Sequence, residues 1–169
     1  MVSKSRLYIP ALGETYESLA PYAELLLRAG LGAILFVHGL QKFFAWFGGA
    51  GIERTAHLLE KFGYPAPLFL TYLIASLETF GGVLLVVGLF VRPVALAMVI
   101  FMLFAVHYTS VNSGFIWVRG GCEYPLTILL ISFYYLINGA GPLSIASVVA
   151  SFDRAIGTAL TALVPSWLQ

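Results

Sequence analysis

Long apolar stretches separated by short polar segments dominate the chain. Four of these stretches approach the ~20 apolar residues that a helix needs to cross the hydrocarbon core of a bilayer. They cover residues 22–44, 68–91, 93–111 and 124–138. The pattern therefore predicts an all-α integral membrane protein whose core is a four-transmembrane-helix bundle.

Two further segments have an amphipathic pattern. Over residues 52–62, between the first two spans, apolar residues fall on one helical face and charged residues fall mostly elsewhere. This predicts a short amphipathic helix at the membrane surface. Residues 142–169 carry a weaker repeat of apolar positions, which predicts a C-terminal interfacial helix. The alternative is a fifth span, which would have to bury Asp153 and Arg154.

The segments outside and between the spans complete the organisation. Residues 1–21 mix polar and apolar groups and lack the apolar core of a signal peptide, so they are expected to form a polar lead-in to a four-helix domain over 22–141. Arg92 and Pro93 are expected to form the tight turn between the second and third spans, because proline favours the first position of a helix.

Composition narrows the class of protein. The chain has 169 residues, of which 60% are hydrophobic and 10% charged, and its mean hydropathy is +0.92. Soluble domains carry about 25% charged residues, so this composition indicates a lipid bilayer as the environment. The net charge of +1 argues against nucleic acid as a partner. A single cysteine, Cys122, excludes an intramolecular disulfide.

Basic residues indicate an orientation for a multi-pass protein of the cell (cytoplasmic) membrane. The side with the two termini and the turn between spans two and three carries one more basic residue than the opposite side, which favours both termini in the cytoplasm. The first set is Lys4, Arg6, Arg28, Arg92 and Arg154, and the second is Lys42, Arg54, Lys61 and Arg119.

Glu78 is the one charged residue in the apolar run from Leu68 to Val91. A charge near the bilayer midplane costs from a few to more than ten kcal/mol unless it is paired, protonated or hydrated. A helical rise of about 1.5 Å per residue places further polar side chains in the same half of the membrane. The candidate residues of a polar site inside the membrane are therefore His38, Lys42, Glu78, His107 and Glu123.

Each of these residues also has a purely structural interpretation. Lys42 is the natural ion-pair partner of Glu78, but Lys42 can instead reach the headgroups while a protonated Glu78 bonds a backbone carbonyl. Either histidine alone is often a hydrogen-bonded packing residue. Glu123 can complement the dipole at the start of span four.

The opposite half of the membrane is expected to hold ordinary interface anchors. Glu24 and Arg28 are spaced four residues apart on one helix, which favours a structural ion pair. Arg92 and the adjacent Tyr134 and Tyr135 are expected at the same interface.

Several short motifs, taken in order, resemble the DoxX family of small four-span membrane proteins. These are His38-Gly39 with Lys42, Phe62-Gly63 with Pro65, Glu78 with Gly81-Gly82, Gly88-Leu89 with Arg92, and Glu123-Tyr124-Pro125. The similarity extends from about Arg28 to Gly141. The resemblance implies a redox connection, because the name-giving members are membrane subunits of a thiosulfate:quinone oxidoreductase.

The leading hypothesis is a membrane subunit of a quinone-linked oxidoreductase complex, with a polar pocket for the quinone headgroup. The chain shows no nucleophile–base pair, phosphate loop or closed metal set, so we expect no metal and no turnover by this chain alone. A protein partner is expected, and a homo-oligomer is possible.

Three alternatives remain open from the sequence. One is a non-catalytic anchor or assembly partner that docks a soluble enzyme through Leu58 and Leu59. Another is a haem b protein with His38 and His107 as axial ligands, for which two histidines are weak support. A small-solute transporter is less favoured, because no inverted repeat or broken helix pair is visible.

Overall fold

The computed structural model describes residues 9–163, with Pro10 and residues 155–163 described as backbone only. Throughout this range the chain is helical and contains no strand, so the all-α class is confirmed. The predictions for residues 1–8 and 164–169 lie outside the described residues, as do those for the side chains of the C-terminal repeat beyond Arg154.

Six α-helices occur within the described part of the chain. They are α1 Gly13–Phe44, α2 Gly51–Lys61, α3 Pro67–Val87, α4 Val91–Ser113, α5 Glu123–Asn138 and α6 Ile145–Leu163. Helices α1, α3 and α4 are long and apolar enough to cross a membrane. With its 16 residues, α5 is shorter than a typical span. The chain is therefore a membrane protein with three helices of spanning length and composition.

Two helix boundaries differ from the sequence-based expectation. Helix α1 begins at Gly13 and contains Pro21, so the part of the expected lead-in from Gly13 to Pro21 belongs to the helix. Helix α3 ends at Val87, because Gly88 adopts a left-handed conformation with φ 74°. The turn therefore precedes Arg92 and Pro93, which lie in the first turn of α4.

Small residues bring α1 and α3 together in an antiparallel arrangement. A Cβ atom added to Gly32 would lie 2.5 Å from the carbonyl oxygen of Gly82, and one added to Gly82 would lie 2.7 Å from that of Gly32. Gly39 abuts Thr79 in the same way further along the two helices. Membrane helices lack a hydrophobic driving force for association, so close backbone packing of this kind is what holds them together.

Helix α5 packs antiparallel to α4 and also contacts α1 at two separate positions, Glu24 and His38. Arg92 at the start of α4 donates to the carbonyl of Ile137 near the end of α5, at 3.2 Å. Apolar side chains from α1, α3, α4 and α5 form a common core, comprising Leu31, Leu35, Leu85, Val91, Val94, Ala95, Met98, Met102, Ile128 and Tyr135. The four helices thus form one bundle.

The two remaining helices are attached at opposite ends of this bundle. After α2, the ring of Phe62 stacks on Tyr108 of α4 with 3.8 Å between the ring centroids. At the start of α6, the amide of Ala146 donates to the carbonyl of Gly88 in the α3–α4 turn, at 3.2 Å. Because Phe62 and Gly88 lie at opposite ends of the bundle, α2 packs at one end and the start of α6 packs at the other.

Candidate functional site

The buried carboxylate of Glu78 is paired with Lys42. Its Oε2 atom lies 2.5 Å from Lys42 Nζ, Glu78 is 4% exposed, and the Lys42 side chain is 21% exposed. The structure thus brings together the two residues that the sequence suggested as an ion pair. A buried pair of this kind offsets the cost of the charge and is weak support for stability by itself.

Helix geometry explains how Lys42 reaches Glu78. Side chains on a helix lean towards its N-terminus, so Lys42, near the end of α1, points back into the bundle. The close approach of Gly39 to Thr79, the neighbour of Glu78, brings the two backbones together one turn before Lys42. The ion pair therefore depends on the glycine contact between α1 and α3.

His38 forms a second polar contact in this half of the bundle. Its Nε2 atom lies 2.6 Å from the hydroxyl oxygen of Tyr124 at the start of α5. The two rings are tilted, with centroids 5.4 Å apart and an interplanar angle of 54°. The direction of this hydrogen bond depends on the tautomer of the imidazole, so Tyr124 can either donate to His38 or accept from it.

The two polar contacts form one cluster rather than two separate features. His38 and Lys42 lie one turn apart on α1, and Gly39, next to His38, abuts Thr79, next to Glu78. Gln41 adjoins His38 and donates to the carbonyl of Phe47 at 3.3 Å. We call His38, Lys42, Glu78 and Tyr124 the polar cluster. It joins α1, α3 and α5 at the end of the bundle that carries α2.

An open cleft of about 380 Å³ lies beside the polar cluster. It is lined by Trp117, Glu123, Tyr124 and Thr127. Its walls come from the α4–α5 connection and the first turns of α5. Tyr124 belongs to both the cleft and the polar cluster, so the two features share one residue.

Two predicted site residues do not join the polar cluster. The His107 side chain is exposed, and within the described residues no hydrogen bond or ion pair links it to the cluster. Glu123 lines the cleft, but its Oε2 atom accepts the backbone N–H of Trp117 at 3.2 Å. Glu123 is also the first residue of α5, where its charge complements the helix dipole.

The prediction that Arg28 is an interface anchor paired with Glu24 is wrong. Among the described residues, Arg28 and Glu24 form no ion pair, and Arg28 is fully buried. Its Nη1 atom donates to the carbonyls of Leu85 at 2.5 Å and Val86 at 3.0 Å, and its Nη2 atom to that of Leu143 at 2.6 Å. A planar guanidinium can satisfy several carbonyls at once, so Arg28 caps the end of α3 and ties the segment before α6 to it.

Glu24 binds tyrosines of α5 instead. Its backbone carbonyl accepts the hydroxyl of Tyr135 at 2.7 Å, and its Oε1 atom accepts that of Tyr134 at 3.3 Å. Tyr135 is only 1% exposed and belongs to the core, whereas Tyr134 is exposed. Of the pair expected as anchors, Tyr135 is therefore a buried contact between α1 and α5.

Tyr124 is the residue that the sequence-based candidate set lacks. The sequence placed it beside Glu123 at the start of the fourth span, but nothing in the pattern joined it to His38. Since α1 and α5 are separated by three helices along the chain, only their packing reveals the contact. The available signal was depth, because both residues were expected in the same half of the membrane.

Comparisons with known proteins give a consistent assignment. The sequence profile of the DoxX family matches residues 23–111, which include His38, Lys42 and Glu78 but not Tyr124. A Bacillus subtilis (strain 168) protein named "Putative oxidoreductase CatD" is 34% identical over 116 residues, covering 69% of this chain and 78% of that protein. No solved structure matches the chain. The family resemblance seen in the sequence is confirmed: the chain belongs to the DoxX family.

Proposed function

We propose that the chain is a membrane subunit of a quinone-linked oxidoreductase complex and that its polar cluster serves a bound quinone headgroup. The observation that carries the proposal is the meeting of two polar contacts, Lys42–Glu78 and His38–Tyr124, beside an open cleft in a membrane bundle. The relative named as an oxidoreductase and the DoxX family membership support a redox role.

The proposed architecture adds α5 to the three helices of spanning length. In an up-and-down bundle of α1, α3, α4 and α5, α5 crosses the same layer as α1. This explains why α5 contacts α1 both at His38 and at Glu24. Helices α2 and α6 lie at the two surfaces in this arrangement. Both termini are then on one side, which the basic residues favour as the cytoplasmic side of the cell membrane.

The polar cluster has the chemistry that quinone reduction or quinol oxidation requires. A quinone takes up two electrons and two protons to become the quinol, so its two oxygens need hydrogen-bond partners and a source of protons. His38 and Tyr124 can exchange a proton along their hydrogen bond. Glu78 is 4% exposed, and its proton path to solvent runs through the partly exposed side chain of Lys42. The electrons come from, or pass to, a redox centre of a partner subunit.

Replacement of one carboxylate tests this function. The full-length chain is used to isolate its complex from native membranes. Quinone-dependent turnover is then measured for Glu78→Gln and for Glu24→Gln. Glu78→Gln keeps the shape but removes the ionisable group, and we expect turnover to fall by about a hundredfold. Glu24 lies in the other half of the bundle and serves as the control, so its variant should keep full turnover. Unchanged turnover in Glu78→Gln would refute a proton-exchange role for this residue.

A second candidate function is a non-catalytic anchor for a soluble enzyme. The observation that favours it is the position of Leu58, which is 49% exposed on α2, while Leu59 is partly covered. Replacement of Leu58 by Ser would then release the partner, which a pull-down from solubilised membranes measures. Retention of the partner in that variant would count against docking at Leu58.

A haem b site receives less support than the quinone pocket. It would use His38 and His107 as axial ligands, but Nε2 of His38 is hydrogen-bonded to Tyr124 and His107 is exposed. An absorption spectrum of the purified protein decides the matter, since bound haem gives a Soret band.

A further inference from the structure

We infer that the hydroxyl of Tyr124 is the group that contacts the headgroup oxygen of the bound quinone, with His38 as the residue that positions it. The inference rests on the proposed quinone function and goes beyond it by assigning the contact to α5. Tyr124 is the one described residue that belongs both to the polar cluster and to the wall of the cleft.

Burial separates the roles of the two polar contacts. Glu78 is 4% exposed and its Oε2 atom is held by Lys42 at 2.5 Å, so its carboxylate is shielded from solvent, and the cleft lining includes neither residue. Tyr124 is 37% exposed and lines the cleft. A headgroup that enters the cleft therefore meets Tyr124 first, while the ion pair acts on it from a distance.

A phenol suits a ligand that changes its hydrogen-bonding character. A quinone oxygen only accepts hydrogen bonds, whereas the hydroxyl of a quinol can also donate. The Tyr124 hydroxyl has one donor hydrogen and two acceptor lone pairs. When Nε2 of His38 carries a proton and donates to Tyr124, the phenol proton is free for a quinone. When Nε2 is unprotonated and accepts from Tyr124, a lone pair of the phenol oxygen is free for a quinol.

The cleft also supplies a reporter for binding. Trp117 lines it together with Tyr124, and quinones quench the fluorescence of nearby indoles. The chain contains three tryptophans. In a Trp46→Phe/Trp167→Phe background, Trp117 is the only one left, so quenching reports a quinone in the cleft.

The test measures the dissociation constant of a short-chain benzoquinone and of its quinol by quenching of Trp117, using the full chain in lipid nanodiscs. Tyr124→Phe removes the hydroxyl and keeps the ring. We expect it to raise the dissociation constants of the quinone and of the quinol by about tenfold, which is the effect of losing one hydrogen bond. Tyr134→Phe is the matched control, because Tyr134 lies on the same helix, is 38% exposed and also bonds a side chain of α1. It should leave both dissociation constants unchanged.

The positioning role of His38 has its own pair of variants. His38→Gln places an amide near the position of Nε2 and is expected to keep binding within about threefold of the wild type, whereas His38→Leu should resemble Tyr124→Phe. Equal losses in the two His38 variants would overturn the positioning role. Saturable quenching that is the same in Tyr124→Phe and the wild type would overturn the assignment of Tyr124 alone. Absence of saturable quenching in the protein that carries only Trp46→Phe and Trp167→Phe would overturn the quinone pocket. The assignment of Tyr124 would fall with it.

Discussion

At the scale of single residues, the chain buries two charges in the bundle and stabilises them in different ways. Glu78 is neutralised by a side chain, Lys42, which stands near the end of its helix. Arg28 is held by three backbone carbonyls, those of Leu85, Val86 and Leu143. The last carbonyls of a helix lack the full set of amide partners that carbonyls inside it have, and the negative end of the helix dipole favours a cation there. Arg28 is therefore a structural cap.

Removal of this cap should destabilise the protein. Arg28→Met removes three hydrogen bonds from a charged group, each of which contributes about 1.5–3 kcal/mol. The carbonyl of Leu85 keeps the amide of Gly88 as a donor at 3.2 Å, and the desolvation cost of the buried guanidinium is lost together with the charge. We therefore expect the free energy of unfolding in mixed micelles to fall by about 3 kcal/mol. Arg28→Lys should recover less than half of that loss, since an ammonium lacks the planar fork of donors.

Arg92→Met provides the control for this prediction. Arg92 is exposed and makes a single 3.2 Å hydrogen bond with the carbonyl of Ile137. Its replacement should change the free energy of unfolding by no more than about 0.5 kcal/mol. Similar losses for Arg28→Met and Arg92→Met would contradict a special role of the buried guanidinium.

The residues that could be predicted from the sequence are those whose environment depends on depth alone. The sequence predicts the pairing of Lys42 with Glu78, because Lys42 ends one span and Glu78 lies inside the next. Any antiparallel pair of these helices places the two residues in the same half of the membrane. Arg28 and His107 depend on rotation about the helix axis, which depth does not determine. Arg28 faces inward and His107 faces outward.

At the scale of helices, the contact between α1 and α3 is the element on which the site depends. The helices meet at Gly32–Gly82 and again at Gly39–Thr79. The second contact lies beside both His38 and Glu78, so any separation of the two helices also separates the polar cluster. Packing of small residues is the general means by which membrane helices approach closely.

Gly32→Ala should therefore lower the unfolding temperature in detergent. The new Cβ atom would lie 2.5 Å from the carbonyl oxygen of Gly82 and 2.9 Å from Cγ2 of Val86, so the helices must move apart. Overpacking of this kind costs about 1–3 kcal/mol. Gly30→Ala is the matched control, because nothing lies within 4 Å of a Cβ atom there, and it should be neutral or stabilising. Equal unfolding temperatures for the two variants would contradict a close contact at Gly32.

The apolar pattern located the helices but not all of their ends. Hydrophobicity reports where a segment is apolar, whereas a helix ends where the backbone turns. Gly88 ends α3 within an apolar run, because its left-handed conformation lets the amide of Leu89 bond the carbonyl of Leu84 at 2.9 Å. Conversely, α1 extends through polar residues as far back as Gly13, since a helix needs no apolar side chains outside the membrane.

At the scale of the whole molecule, the number of spans depends on whether α5 crosses the membrane. By length alone it falls short, since 16 residues rise about 24 Å and the hydrocarbon core is about 30 Å thick. Its contacts favour crossing. Tyr124 meets His38 and Tyr135 meets Glu24, and these two positions on α1 are separated by roughly 21 Å of helical rise.

Single cysteines report the topology directly. In a Cys122→Ser background, Glu53→Cys lies on α2, Val118→Cys in the α4–α5 connection and Asp153→Cys on α6, and all three side chains are exposed. If α5 crosses, a membrane-impermeant maleimide should label positions 53 and 118 from one side of oriented vesicles and position 153 from the other. If α5 returns without crossing, positions 118 and 153 will be labelled from the same side. That second result would contradict the four-span topology. It would also contradict the proposal that the contact between Tyr124 and His38 joins two membrane-spanning helices.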